Sequence, residues 1–171
     1  MSVSIKTPED IAGMRHVGRK TAEILDYITP YVKPGVTTNE LDALCSAFVV
    51  DVQGGYSPNL NYTPPNHVPF PKSICTSPNH VVCHGIPSDK KLKDGDILNI
   101  DVAMVIDGYY GDTSRMFFVG KPSIAGKRLS DATYEAMWRG IRVVKPGATL
   151  GDIGHAIQSY VEPMGYSVVR E

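Results

Sequence analysis

Two amphipathic helix pairs are written into this chain at a constant offset of 112 residues, and that repetition limits the fold more than any other feature. Thr21 matches Thr133, Glu23 matches Glu135, and Val32-Lys33-Pro34-Gly35 matches Val144-Lys145-Pro146-Gly147. Thr37 and Glu40, spaced as a capping box, match Thr149 and Asp152. After a two-residue deletion, Gly55-Tyr56-Ser57 aligns with Gly165-Tyr166-Ser167. Unrelated helix pairs do not share a four-residue turn at matching positions. The expected organisation is one duplicated α/β domain, with residues 1–125 as the first half-repeat and 126–171 as the start of the second. In the first copy the helices lead on to strands. The second stops at Glu171, where its first strand has barely begun, so the expectation is a complete first half and a truncated second half.

The first copy reads clearly along the chain. Thr7 as N-cap, Pro8 at the first helical position and acids in the first turn open a helix. Ile11, Met14, Val17, Ala22, Leu25, Ile28 and Val32 predict its buried stripe, and Lys33-Pro34-Gly35 ends it. The next helix is predicted to turn Leu41, Leu44, Cys45, Phe48 and Val52 inward and to stop near Gln53-Gly54-Gly55. From Tyr56 to Lys72 the chain is rich in Pro and Asn, which predicts an irregular loop of the length often given to function. Ser73–Ser77 and His80–His84 read as two short strands, followed by a turn at Gly85-Ile86-Pro87. In the second copy, Ser130 is expected to open a helix running from Asp131 to about Val144.

Between Asp96 and Gly120, two β-branched and aromatic runs flank Asp107-Gly108, a dipeptide suited to a type I′ hairpin. With those residues as the turn, Ile106 faces Tyr109 and Ala103 faces Asp112. Asp101, two residues from Ala103, then emerges on the same face as Asp112. The two carboxylates become diagonal neighbours roughly 7 Å apart at the backbone. Strand packing does not ask for two acids on one face among Ile, Val, Met and Phe. Spacing alone leaves two readings: a divalent metal pair held by these oxygens, or a wet face whose acids are solvated.

Net charge is −1, which offers no electrostatic case for sequence-specific nucleic-acid binding or for an anionic membrane. Lys90-Lys91-Leu92-Lys93 reads as a solvated basic loop. Cys45, Cys75 and Cys83 are an odd set without zinc-finger spacing, which fits a reducing cytosol. There is no apolar run of membrane-spanning length and no apolar N-terminal signal, so the expected protein is soluble and cytoplasmic.

Taken together, Pro71-Lys72-Ser73-Ile74-Cys75, Val82-Cys83-His84-Gly85-Ile86-Pro87, Asn99-Ile100-Asp101-Val102 and Gly111-Asp112-Thr113-Ser114 resemble the motifs of the type I methionine aminopeptidases. The eleven-residue spacing of the two acids matches as well. The resemblance covers the whole chain and implies the duplicated α/β pita-bread fold of a metal-dependent hydrolase that removes N-terminal methionine from nascent proteins and peptides. Asp101 and Asp112 would then be metal ligands in a site for two divalent ions (Co, Mn, Fe or Zn). His84 would be the catalytic histidine that bonds substrate, and Cys75 and Phe70 would line the pocket for the methionine side chain. Phe70 stands where the family often has Tyr. Tyr62 and His67 receive no role, because their loop does not align residue by residue. The family completes its metal site with a histidine and two glutamates that this chain lacks, which implies weak metal binding and an inactive 171-residue chain. Peptide N-termini, ribosome proximity and self-association through an uncovered half-domain face complete the expected partners. The competing readings are a non-catalytic half-length paralogue that binds a peptide or protein, and a dimer that pairs two half-sites.

Overall fold

The computed structural model describes residues 3–170, which gather into two compact units, one ending at Pro122 and one beginning at Ser123. In the first, helix α1 (Pro8–Ile28) starts at a capping box between Thr7 and Asp10 and runs on into a 3-10 turn, Thr29–Tyr31. Its inward row is Val17, Thr21, Ile24, Leu25 and Ile28. Ile11 and Met14, expected in that row, are 43% and 44% exposed. At that end of α1 the sheet side is occupied instead by Asp10, which accepts a hydrogen bond from the Tyr109 hydroxyl at 3.3 Å, and by Gly13, against the Tyr109 ring. Helical geometry then leaves Ile11 and Met14 to the sides.

Helix α2 (Thr38–Ala47) opens on the predicted Thr37–Glu40 capping box and continues as a π turn over Phe48–Val52. Val49 continues the buried row of Leu41 and Cys45, whereas the wider turn breaks the 3.6-residue spacing beyond it and Val52, expected inside, is 69% exposed. Asp42 is also buried, and its Oδ1 accepts from Ser73 N (2.9 Å), Ser73 Oγ (2.7 Å) and Ile74 N (3.1 Å). This one carboxylate ties α2 to the start of the sheet.

The sheet is antiparallel, in the order β1 (Ile74–Pro78), β2 (Ile97–Ile106), β3 (Tyr109–Phe118). Ile106 pairs with Tyr109 and Ala103 with Asp112, as the turn dipeptide requires. Asp107 and Gly108 both have positive φ, 51° and 81°, the backbone of a type I′ turn. Leu98, Ile100, Val102 and Met104 of β2 point into the core shared with α1 and α2. On β3, Gly111 lets α1 approach: a Cβ there would collide with the Thr21 hydroxyl and the Val17 carbonyl. Thr21 is fully buried, with its hydroxyl donated to Val17 O at 2.8 Å.

His80–His84 is not a strand. Asn79 takes a left-handed φ of 53° and closes β1, and the following segment loops back so that Thr76 N donates to Gly85 O and Gly85 N to Ser77 Oγ. Gly85 lies so close to β1 that a Cβ would strike the Thr76 carbonyl. The apolar run Val81-Val82 is therefore overruled by how its two ends are held.

In the second unit, helix α3 (Ile124–Arg142) begins seven residues earlier than expected. Ser123 is its cap, accepting from Gly126 N at 3.0 Å, whereas Ser130 lies inside the helix with its hydroxyl donated to Gly126 O. Helix α4 (Leu150–Val161) opens on the Thr149–Asp152 capping box. The intervening turn uses Gly147 at φ 88°, as the turn before α2 uses Gly35 at φ 92°. Ala136, Gly140, Ile153, Ile157 and Val161 line an apolar groove of about 470 Å³. They stand at offset 112 from Ile24, Ile28, Leu41, Cys45 and Val49, the core of the first unit.

Replacing Asp42 by Ala strips the acceptor from three donors on the buried residues Ser73 and Ile74. We expect a loss of about 2–4 kcal/mol, read as a lower urea midpoint with unchanged slope.

Candidate active site

The pleat assigns the two faces of the sheet. Ile100, Val102 and Met104 are buried against the helices, while Asn99, Asp101 and Ala103 lie on the opposite, partly open face. Cys75 pairs directly with Asp101, and Asp101 with Ser114, so these three share one row of that face. Asp112 stands opposite Ala103, one pleat further along β3, on the same face. The two acids are thus the diagonal neighbours that the hairpin register demands.

Their surroundings differ. Asp112 is exposed, whereas Asp101 is half-buried in the middle strand. Desolvation raises the Asp101 pKa above its ordinary 3.8, the Asp112 charge raises it further, and His84 acts in the opposite sense. The same field reaches Cys75. Burial first, then the charges of Asp101 and Asp112, push its thiol up to about 11, so it stays a neutral, polarisable S–H at physiological pH. Burial likewise lifts the Cys45 thiol to about 12, in keeping with its place in the core.

Phe70, Cys75 and His84 come together in one cleft of about 340 Å³. The other lining residues all belong to the 59–68 stretch of the Pro/Asn-rich loop, among them Tyr62 and His67. His84 sits at a left-handed φ of 55°, a conformation that His adopts more readily than most side chains. The hydrogen bonds that fasten Gly85 to β1 hold it there. Cys83 is exposed. His16, His80 and His155 are exposed too, as expected from the sequence. Sequence reasoning missed Asp42 and the cleft residues of the loop. An acid beside Leu41 on the inward side of α2 was the available signal for Asp42, but the loop has no periodicity to read.

Asp101 and Asp112 offer hard carboxylate oxygens suited to a divalent cation, and a cation would relieve the charge crowding at Asp101. Among the described residues, no three His, Cys, Asp or Glu side chains gather closely enough to hold a metal ion. The pair fits such an ion as two of its ligands. No helix among the described residues is long and apolar enough to cross a membrane.

Residues 12–171 match metallopeptidase family M24. The chain is 57% identical over 171 residues to the methionine aminopeptidase of Rickettsia prowazekii (strain Madrid E), covering 100% of this chain and 64% of that protein. It is 56% identical over 172 residues to the methionine aminopeptidase of Escherichia coli (strain K12), covering 100% of this chain and 63% of that one. The crystal structure of the Rickettsia prowazekii enzyme superposes with a TM-score of 0.94 at 56% identity, covering 99% of this chain and 66% of that one. The fold is thus the α/β pita-bread fold, and the chain spans a little under two thirds of the length of these curated relatives.

The raised Asp101 pKa fixes a pH dependence. The stability of the neutral carboxyl is fully present below the ordinary value of 3.8 and is lost as pH rises through the raised value. Metal-free Asp101→Asn should therefore melt higher than the parent at pH 7, and its advantage should vanish on acidification below 3.8. Thermal unfolding followed by circular dichroism across that range checks both points.

Proposed function

Since the chain belongs to metallopeptidase family M24, we propose that it carries the substrate cleft and two metal-ligating carboxylates of a methionine aminopeptidase, which hydrolyses the bond after an N-terminal methionine. The observation that carries this reading is the shared face: Cys75 pairs with Asp101, Asp112 stands one pleat further along on the same face, and Cys75 in turn lines the cleft with Phe70 and His84. A purely solvated acid pair would need no such neighbour. The 57% identity to a named aminopeptidase supports the same activity and disfavours a non-catalytic binding protein.

When bound, divalent ions lower the pKa of water and polarise the scissile carbonyl. Asp101 and Asp112 would hold them, with Mn, Co, Fe and Zn all compatible with carboxylate donors and two ions per complete centre. The neutral Cys75 thiol and the Phe70 ring pack on the methionine thioether, for which soft sulfur and aromatic contacts are favourable. His84 at the cleft bonds the substrate beside the scissile amide and stabilises the oxygen that gains charge. Nascent-protein N-termini as substrates imply work in the cytoplasm, close to the ribosome.

Two carboxylates are fewer donors than a transition-metal ion takes, so the 171-residue chain should bind Mn²⁺ or Co²⁺ more weakly than a site with a full ligand shell. Titration calorimetry should show that binding, and Asp101→Asn or Asp112→Asn should each abolish it; binding that survives both substitutions would refute the assignment. With either metal added, these 171 residues should release no methionine from a Met-Ala-Ser peptide. Turnover that Asp112→Asn abolishes would instead show that the described residues suffice.

A further inference from the structure

Strand β3 has one hydrogen-bonded neighbour, β2, and its other edge is open. Val105 N donates to Tyr56 O at 2.9 Å and Val105 O accepts from Tyr56 N at 3.2 Å, so the Val105 backbone turns away from β3. Its cross-strand partner Tyr110 then directs N–H and C=O outward, and alternation along the strand does the same for Asp112, Ser114, Met116 and Phe118. Among the described residues none of these outward groups meets a backbone partner. The same five residues carry the side chains that share the open face with Asp101.

Edges left to solvent are commonly blunted by Lys, Pro or a bulge. Strand β3 has none of these over its ten residues, and its register with β2 is unbroken from Ile97–Phe118 to Ile106–Tyr109. Its one cationic side chain, Arg115, is held on the helix side, 2.9 Å from Asp26. Tyr110 and Phe118, near the two ends of the edge, are 64% and 37% exposed. The edge is therefore straight, apolar at its ends and undefended. The face beside it is also short of ligands: it offers two carboxylates, and among the described residues no third metal-binding side chain joins them.

We propose that this edge is an interaction surface for a second copy of the chain: two β3 strands pair antiparallel about a two-fold axis at Thr113, and each copy brings its Asp112 to the other's metal-binding face. The proposal rests on reading Asp101 and Asp112 as metal ligands. An axis at Thr113 sets Asp112 opposite the partner's Ser114, and Ser114 stands in the row of its own Asp101. Tyr110 meets the partner's Met116, an aromatic–thioether contact made twice. A shift of one residue either way is worse. An axis at Asp112 opposes the two acids directly, and one at Ser114 sets Asp112 against the partner's Met116. With the axis at Thr113, the two Asp112 residues become diagonal neighbours about 7–8 Å apart. Four carboxylates on one joined face repel, so the metal-free edges stay apart, and divalent ions shared across the axis draw them together.

The test is sedimentation velocity of the 171-residue protein in EDTA and in Mn²⁺, with titration calorimetry reporting metal binding separately. The protein should be a monomer in EDTA and a dimer in Mn²⁺. Tyr110→Lys and Met116→Glu should each weaken the dimer about tenfold, because each removes both copies of one cross-strand pair. Tyr110 is exposed, so its substitution leaves the fold intact, which circular dichroism checks. Combined in one chain, the two substitutions set an ammonium opposite a carboxylate twice across the axis, and the double variant should dimerise more strongly than either single one. A monomer with Mn²⁺ bound, a dimer equally strong in EDTA, a dimer indifferent to Tyr110→Lys, or a double variant no stronger than the singles overturns the proposal and leaves the metal-ligand reading standing. If calorimetry shows no Mn²⁺ binding, both fall.

Discussion

The site depends on the register of one hairpin. Because side chains alternate along a strand, a slip of one residue between β2 and β3 would send Asp112 to the helix side while Asp101 stayed on the open face. The Asp107-Gly108 turn prevents the slip, since its positive φ angles match the twist of the flanking strands. The apolar row of β2 prevents it a second time. Ile100, Val102 and Met104 are buried against α1 and α2, which leaves the acid-bearing face as the open one. Gly111, where only a glycine lets α1 lie down on β3, adds a third constraint beside Asp112 itself.

The second layer of the site is non-local. Asp42 joins α2 to Ser73, and Ser73 joins β1 to the loop that walls the cleft. Cys75 belongs to both worlds: it shares a row with Asp101 and lines the cleft with His84. Burial and the neighbouring acids keep its thiol protonated, which suits a pocket wall and argues against a nucleophile.

What could be read in advance follows the range of the interactions. The hairpin pairing and the capping boxes at Thr37 and Thr149 are set by residues within a few positions of each other, and they stand in the structure as the sequence implied. The repeat also shows in the matching turns at Gly35 and Gly147. His80–His84 was misread because Val81 and Val82 favour a strand locally, while Asn79 and Gly85 decide the path through partners on β1. The start of α3 was misplaced because Pro122 and Gly126 look like loop punctuation, although Ser123 between them is a working cap. The π turn that carries Val52 outward leaves no local signature. The motifs single out Asp101, Asp112, Cys75, His84 and Phe70 as candidates, and the fold places Phe70, Cys75 and His84 around one cleft; the wall around His67 arises from hydrogen bonds within an irregular loop, which leaves no periodic signal.

Strands β1, β2 and β3 bring Cys75, Asp101 and Asp112 together on one face, which under the proposed function is the metal-binding face. Paramagnetic Mn²⁺ offers the most direct measurement, because it broadens amide signals according to their distance from the bound ion. Substoichiometric Mn²⁺ should bleach Cys75, Asp101, Ala103, Asp112 and Ser114 first, and the same addition to Asp101→Asn should leave those signals sharp. Broadening centred elsewhere on the protein, or unchanged by that substitution, would contradict the claim.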